Sequence, residues 1–486
     1  MIIAFMGNDG SGKTTIAKEL TNVFKEWGLK VIYKHEYEYS VLKFLFKIIG
    51  MDKINQERKK MIIERKKSWK YYVWPFLVWF DVSLQYLYLK IFRRNAIVIL
   101  DRYPYDHYLS FDYLGYLTPL SRWLYLHFPK PDIGIILWVE PEVAYERKKS
   151  THNYSLSFYE RQTKNYLSLA RKFQIPSFNT NKDKEQTVNE VVSFILQTKP
   201  GILYKLIQNK IIFFVLKKHK LKSGIFKRLW DEHKRRKEMF RRSLKAFKTL
   251  CSEMGIQNYA LIKTSDDFEW VGNDIDVLVS PSAFKILQNI SETIRRVFVE
   301  EIKHDRWDAG KMDIFIKDGL KLDIHSYIGW RNVVFLNYSQ ILREEFIQKK
   351  TIFDVECVTV KKEIDSIIII THIFEKGFIT LDEYEFLKKH FDESFMQANF
   401  PHLCILLSDY VSWITKILRE KRNYSYPLFI PISIMIRSYS KLFFYLKNGH
   451  SDAFWKLKAF VRDISLITFW RIRYVLKDKL PFEVLR

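Results

Sequence analysis

Cysteine is scarce in this sequence: Cys251, Cys357 and Cys404 lie far apart along 486 residues. They form neither a disulfide framework nor a metal-ligand spacing, which suits a reducing, intracellular setting and a cytoplasmic protein. Long uninterrupted apolar runs are missing as well. The stretch closest to a membrane span, Tyr71 to Phe92, is broken by Asp81, Gln85 and Lys90, with Pro75 near its start. A buried helix is expected there, and no transmembrane span. No secretory leader is expected, because the first apolar run leads straight into a glycine loop. Internal repeats and low-complexity tracts are also missing. Acidic residues are few beside basic ones, 55 against 80, for a formal net charge of +25. Such a charge admits nucleic acid, anionic lipid or phosphorylated substrates as partners and does not choose among them. An apolar content of 48% argues against disorder, and the length exceeds one ordinary core, so two or three domains are expected.

What is present begins almost at once. Gly7-Asn8-Asp9-Gly10-Ser11-Gly12-Lys13-Thr14, followed by Thr15, fits the phosphate-loop pattern G-x-x-x-x-G-K-[ST] at every fixed position. Its context agrees. Met1 to Met6 is an apolar run suited to a strand buried on both faces. Ile16, Ala17, Leu20, Phe24 and Trp27 then recur at helical spacing, and Gly28 is placed to cap that helix. Strand, glycine loop and helix N-terminus predict a cradle of backbone N–H groups for phosphate oxygens. Lys13 is expected to reach the β- and γ-phosphates of a nucleoside triphosphate, and Thr14 to bind Mg²⁺.

Further strands are predicted at Leu29 to Tyr33, Ala96 to Leu100 and Ile133 to Val139, with helical patterns between them. This alternation predicts a doubly wound, parallel-sheet α/β domain. The third strand delivers Asp101-Arg102-Tyr103 to its carboxyl end, where a carboxylate can serve metal or acceptor and an arginine can grip phosphate. The fourth is followed by a helix carrying Glu146-Arg147-Lys148-Lys149.

The order of these motifs resembles thymidylate kinase and its nucleoside-monophosphate kinase relatives over roughly the first 40% of the chain. The resemblance rests on GNDGSGKTT at 7–15, LDRY at 100–103, PDIGIILWVEPEVAYERKK at 131–149 and YERQTKNYLSLA at 159–170. It implies an ATP- and Mg²⁺-dependent phosphotransferase. Asp9 would lie near the acceptor sugar, Arg147 in the lid over the transferring phosphate, and Arg161 on the helix after the lid. Departures are equally informative. Lys34-His35-Glu36-Tyr37 replaces the family's arginine-glutamate-proline-glycine turn. Phe80-Asp81-Val82-Ser83 stands where an acceptor-site arginine is usual, and Asp106 and Ser110 to Asp112 replace the residues expected near the base. The lid, Lys149 to Ser155, is short. Phosphoryl-transfer chemistry looks retained, while thymidine recognition does not.

After Pro200-Gly201 the chain turns strongly basic. Segment 216–248 carries Lys234-Arg235-Arg236-Lys237 and Arg241-Arg242, with an apolar stripe of Phe226, Leu229, Trp230, Phe240, Leu244 and Phe247. The pattern predicts an amphipathic helix docked on the next domain, with contact to nucleic acid or membrane as the alternative.

Beyond it, Asp274 and Asp276 alternate with Ile275, Val277 and Val279, which puts both carboxylates on one strand face. Lys311 to Ile316 and Leu320 to His325 predict a hairpin turning at Lys317-Asp318-Gly319, and Asp323 can bring a third carboxylate to the same cluster. With a lysine strand before them (Tyr259 to Lys263), these residues resemble the DNA polymerase β-type nucleotidyltransferase superfamily. The segment Thr371-His372-Ile373-Phe374 to Asp382 resembles that group's helical half. The resemblance implies a Mg²⁺ cage of Asp274, Asp276 and Asp323. The turn Lys263-Thr264-Ser265-Asp266 departs from it by lacking glycine, and His325 is expected to form local hydrogen bonds.

The sequence thus predicts a kinase domain over 1–197, a basic connector over 198–250, an α+β nucleotidyltransferase-like core over 251–330 and a helical region over 331–486. Its substrates would be a nucleotide and a phosphorylated small-molecule acceptor. A homodimer, an ATP-switched nucleic-acid-binding protein with a degenerate second site and a peripheral membrane enzyme of lipid-linked or surface-polymer precursors are further readings.

Overall fold

The computed structural model describes residues 1–35, 69–93, 95–150, 154–264, 271–305, 308–330, 333–420 and 424–447. Residues 36–37, residues 38–68 of the helical stretch expected between the second and third strands, the middle of the lid (151–153), Ser265-Asp266 and residues 448–486 of the expected helical region lie outside this description. The fold divides into two compact units, Met1–Thr198 and Lys199–Arg486. No helix among the described residues is long and apolar enough to cross a membrane.

The first unit runs β1 (Ile2–Gly7), α1 (Lys13–Glu26), β2 (Val31–His35), α2 (Trp69–Phe92), β3 (Ile97–Asp101), α3 (Pro104–Leu114), α4 (Pro119–Leu126), β4 (Ile133–Trp138), α5 (Pro141–Lys148), α6 (Leu156–Phe173), β5 (Ser177–Asn179) and α7 (Lys184–Thr198). The strands lie in the order β2-β3-β1-β4-β5, all parallel. Each βα crossover returns the chain over a sheet face, so the central strand must be apolar on both sides; β1 is buried at every position. The α1 stripe of Ile16, Ala17, Leu20 and Phe24 is buried, and Gly28 takes φ +70° just beyond the helix. Because consecutive strands leave β1 in opposite directions across the sheet, a crevice opens at its carboxyl end. The phosphate loop lies there. The three-residue β5 was not foreseen in the sequence; it pairs with β4 through Ile136–Trp138.

The second unit begins with α8 (Pro200–Gln208), α9 (Ile212–Lys218) and α10 (Ile225–Glu253). The α10 stripe of Leu244, Phe247, Leu250 and Cys251 is buried in this unit's main core, with Phe240 packed against it. On the charged face, Glu232 pairs with Arg235 and Arg236, and Glu238 with Arg241 and Arg242, at i,i+3 and i,i+4. The helix is thereby docked through its apolar side within the unit.

A seven-stranded mixed sheet follows, built from β6 (Tyr259–Leu261), β7 (Asp274–Val279), β8 (Val299–His304), β9 (Lys311–Ile316), β10 (Lys321–His325), β13 (Ile347–Ile352) and β14 (Val355–Val360) in the order β13-β14-β6-β7-β10-β9-β8. The predicted hairpin is present as β9–β10, with Asp318 at φ +52° in its turn. Short helices α11 (Pro281–Gln288) and α12 (Glu292–Phe298) precede β8, and a small pair β11 (Tyr327–Trp330) and β12 (Val333–Asn337) leads to α13 (Tyr338–Ile341). The helical part contains α14 (Lys362–Lys376), α15 (Leu381–His390) and, farther on, α18 (Ser408–Arg419) and α19 (Ile432–Lys447), with α16 (Glu393–Asn399) and α17 (Pro401–Leu406) between. A minor sheet joins β15 (Phe378–Ile379) to β16 (Leu428–Phe429).

Candidate active sites

In the first unit the loop after β1 makes backbone demands that only glycine meets easily. Gly7 has φ +147°, and a Cβ there would lie 1.8 Å from the carbonyl oxygen of Leu137. Gly10 and Gly12 take φ +84° and +76°. The resulting bend lines a cavity of about 480 Å³ together with Asp9, Ser11, Lys13, Thr14 and Thr15. Ser11 Oγ is buried without a hydrogen-bond partner among the described residues. Lys13 is 6% exposed, and its ammonium donates to the carbonyl oxygens of Gly7 at 2.7 Å and Asn8 at 2.9 Å. Burial, and then the neighbouring Arg102 guanidinium, lower its pKa. Such an ammonium gains by meeting an anion.

Gly7 and Asn8 do not line the cavity. The Asn8 amide instead donates to Val139 O at 3.0 Å and Thr163 Oγ1 at 2.9 Å and accepts from Val139 N–H at 3.1 Å. It ties the loop to the end of β4 and to α6. Asp9 N–H donates to Gln162 Oε1 at 2.7 Å, a second tie to α6.

Asp101 ends β3 beside Phe5 on one neighbouring strand and His35 on the other. It is fully buried. Its Oδ2 accepts from the Thr14 hydroxyl at 2.6 Å and the Tyr33 hydroxyl at 3.0 Å, with His35 Nε2 at 3.6 Å. Its Oδ1 is buried with no hydrogen-bond partner among the described residues. A hydroxyl and a carboxylate in contact, with one carboxylate oxygen unused, are the hard oxygen donors that Mg²⁺ takes through a partly hydrated shell. The residues present fit that ion.

Arg102 has φ +89°, a strained conformation for a side-chain-bearing residue, and its guanidinium lies 3.5 Å from Asp9. Arg147, in the last turn of α5, donates to Gly10 O at 3.0 Å and Thr180 O at 3.3 Å. Both arginines line the cavity. Arg161 does not; its guanidinium lies 5.0 Å from the ring centre of Tyr113. Asp106, at the third position of α3, accepts from Tyr103 N–H at 2.9 Å and the Tyr166 hydroxyl at 2.6 Å. It caps a helix and is 1% exposed. Sequence reasoning missed Thr180, Lys182, Lys184 and Thr187 along the cavity. They follow β5, so the rule that ligand-binding loops gather at strand ends would have found them had the strand been recognised.

The second unit has its own cavity, of about 510 Å³, at the carboxylate end of β7 and β10. These strands are parallel, with Asp276 opposite Asp323. His325 Nε2 lies 3.3 Å from Asp276 Oδ1 and 3.4 Å from Asp323 Oδ1. One ligand atom from each of Asp276, Asp323 and His325 lies within 4.8 Å of the others. Asp274 lines the same cavity on the same strand face, but its carboxylate is turned toward Lys321 Nζ at 3.7 Å. Asp313 binds the same lysine at 2.9 Å.

The charges interlock. Burial alone would raise the Asp276 carboxyl, but the Lys263 ammonium at 2.6 Å and the His325 imidazole hold it far below its ordinary value. Burial would raise Asp323 too, and His325 brings it down to about 2. Asp274 has little such help, and burial followed by the nearby Asp276 charge pushes it up. Asp365, in the first turn of α14, accepts from the N–H groups of Lys263 at 2.5 Å and Thr264 at 2.8 Å. Burial nevertheless pushes its carboxyl up to about 7. It anchors Lys263 and Thr264, just after β6, from the helical part. Facing the carboxylates are His372, Lys210 and Glu383, the last accepting from Lys376 Nζ at 2.6 Å. Two carboxylates paired across adjacent strands, with a third along the same face, offer the oxygen ligands a divalent cation needs.

The thymidylate kinase family model matches residues 5–191. "Probable thymidylate kinase 1" of Saccharolobus solfataricus is 27% identical over 202 residues, 40% of this chain and 96% of that protein. "Probable thymidylate kinase" of Sulfolobus acidocaldarius is 31% identical over 202 residues, 40% of this chain and 95% of its own length. A solved deoxyadenosine kinase from M. mycoides covers 40% of this chain and all of itself at 19% identity and a TM-score of 0.27. With nearly the whole length of a 31% identical relative matched, and a phosphate loop lining a cavity with Arg102 and Arg147, the chain belongs through its first unit to the thymidylate kinase family, and it is a kinase.

Proposed function

We propose that the first unit transfers the γ-phosphoryl group of ATP to a phosphorylated small molecule of the nucleoside-monophosphate class. An acceptor phosphate oxygen forms the new P–O bond, and the bond to the β–γ bridging oxygen breaks, releasing ADP. Lys13 and the amides of residues 10–15 hold the β- and γ-phosphates. Arg102 and Arg147 present guanidinium groups to the equatorial oxygens, where charge spreads in the transition state. Thr14 and Asp101 would hold Mg²⁺, whose contribution when bound is charge neutralisation between the phosphates. The observation that carries this reading is the Thr14–Asp101 contact with Asp101 Oδ1 unused. Thymidylate as acceptor lacks support among these residues, because Asp106 is committed to a helix cap and Arg161 to Tyr113.

We further propose that the second unit is a metal-dependent nucleotidyltransferase. Asp276 and Asp323, with Asp274, would hold the metal, and Lys263 and Lys210 form the cationic side of the cavity toward a triphosphate. The register Asp276↔Asp323 supports this reading. Incubation with [γ-³²P]ATP or [α-³²P]NTPs and candidate acceptors tests both halves. Lys13→Ala should lower only γ-label transfer and Asp323→Asn only α-label transfer. An α-label product made equally well by Asp323→Asn would contradict the second assignment.

A further inference from the structure

Phe353 holds an unusual backbone position. β13 and β14 close on the pair Ile352↔Val355, leaving a two-residue turn of Phe353 and Asp354 with φ +46° and +64°. Both values are positive, the pattern that favours Asn-Gly, and a bulky aromatic residue is strongly disfavoured at the first place. A ring is nonetheless kept there. It meets the Phe240 ring of α10 edge to face, with centroids 5.4 Å apart and planes at 89°, and Lys237 Nζ lies 5.5 Å from its centre. Phe240 and Phe353 are each only partly buried, and both line the cavity that holds Asp274, Asp276 and Asp323. The lining therefore has two characters: a carboxylate and ammonium part, and an apolar part of Phe240, Val271, Ile352 and Phe353.

We propose that this aromatic corner is the base-binding subsite of the second unit, in which Phe353 presents its ring to the planar base of a nucleoside triphosphate and Phe240 closes the side. The proposal rests on the nucleotidyltransferase reading of that unit and names the part of the ligand which that reading leaves unplaced. A nucleotide has the same two characters as the cavity: a polyanionic chain that needs a cation and ammonium groups, and a flat ring with an apolar face. Aromatic stacking accepts any base, since every base offers a π-face, so the subsite should recognise a ring in general more than one base. Phe353 is a positioning residue here, because the reacting phosphorus would lie by the carboxylates.

The test is binding by the full chain carrying Lys13→Ala, so that the phosphate loop contributes little. Equilibrium dialysis with Mg²⁺ measures retention of [α-³²P]ATP, GTP, CTP and UTP, and displacement by inorganic tripolyphosphate, which has the charge and no ring. Phe353→Asn suits the turn and should melt no earlier than the parent. It should weaken every triphosphate by about tenfold, while tripolyphosphate binding changes less than twofold. Phe353→Tyr should restore nucleotide binding. Undiminished nucleotide binding in folded Phe353→Asn, or an equal loss for tripolyphosphate, would overturn the proposal. Asp323→Asn separates the two ideas: if it weakens both ligands while Phe353→Asn weakens neither, the stacking idea alone fails. If Asp323→Asn binds both unchanged, or if the Lys13→Ala parent binds no nucleotide, the nucleotidyltransferase reading fails with it.

Discussion

Lys263 Nζ lies 2.6 Å from Asp276 Oδ1, so in the metal-free protein an ammonium neutralises the carboxylate that a divalent cation would otherwise hold. Both side chains are mostly buried. Removing one charge leaves the other desolvated and without its nearest partner, which costs more than the pair contributes. Asp276→Asn should therefore destabilise the metal-free second unit by about 3–5 kcal/mol. Combining it with Lys263→Met should recover most of that loss. Urea unfolding of the four proteins in the cycle measures the coupling, and additive losses would show the pair to be independent.

His325 gives a pH signature. Burial would lower its pKa, but Asp323 and Asp276 on one side outweigh that and the opposing Lys263 charge, so the folded value lies above the ordinary 6.5. A raised imidazole binds its proton more tightly in the folded state. Its contribution is complete below about pH 6.5 and is lost as pH rises through the folded value. The melting temperature of metal-free protein should fall over that range, and His325→Gln should flatten the fall. Identical profiles for the two proteins would contradict the assignment.

Asn8 is expected to matter for the loop's shape more than for nucleotide contact. Asn8→Ala removes three buried hydrogen bonds, including one that satisfies Val139 N–H. It should cost about 1–3 kcal/mol of first-unit stability. Differential scanning calorimetry would show it, together with a raised KM for ATP.

Arg147→Lys keeps a charge but not the two-pronged grip on Gly10 O and Thr180 O. The kinase kcat should fall by roughly 10²-fold, with a smaller change in KM, as expected for a group that acts on transition-state charge. Steady-state kinetics at saturating Mg²⁺ would separate the two parameters.

The phosphate loop was legible because its glycines answer to backbone geometry: Gly7 has no room for a Cβ, and the pattern records that directly. The parallel sheet was legible from short unbroken apolar runs, as in Ile2–Gly7 and Ile133–Trp138. Other features depend on contacts that no local pattern encodes. β5 has three residues, too few for a period, so no local pattern marks the loop bearing Thr180 and Lys182. Asn8 lies inside the motif yet turns toward α6, and Asp106, which stands in place of the residues the family resemblance puts near the base, fills a helix cap. In the second unit, alternation placed Asp274 and Asp276 on one face. It could not show that Lys321 draws Asp274 aside while His325 joins Asp276 and Asp323. Asp365 lies more than a hundred residues from the turn it holds, so its tie to Lys263 and Thr264 belongs to the tertiary fold alone.

The most direct test of the account is γ-phosphoryl transfer itself. Initial rates from [γ-³²P]ATP to a panel of nucleoside monophosphates should show Mg²⁺-dependent labelling by the wild-type chain, lowered by about 10²–10³-fold in Lys13→Ala. Labelling that persists at the wild-type rate in Lys13→Ala, or no labelling of any monophosphate by a folded protein, would contradict it.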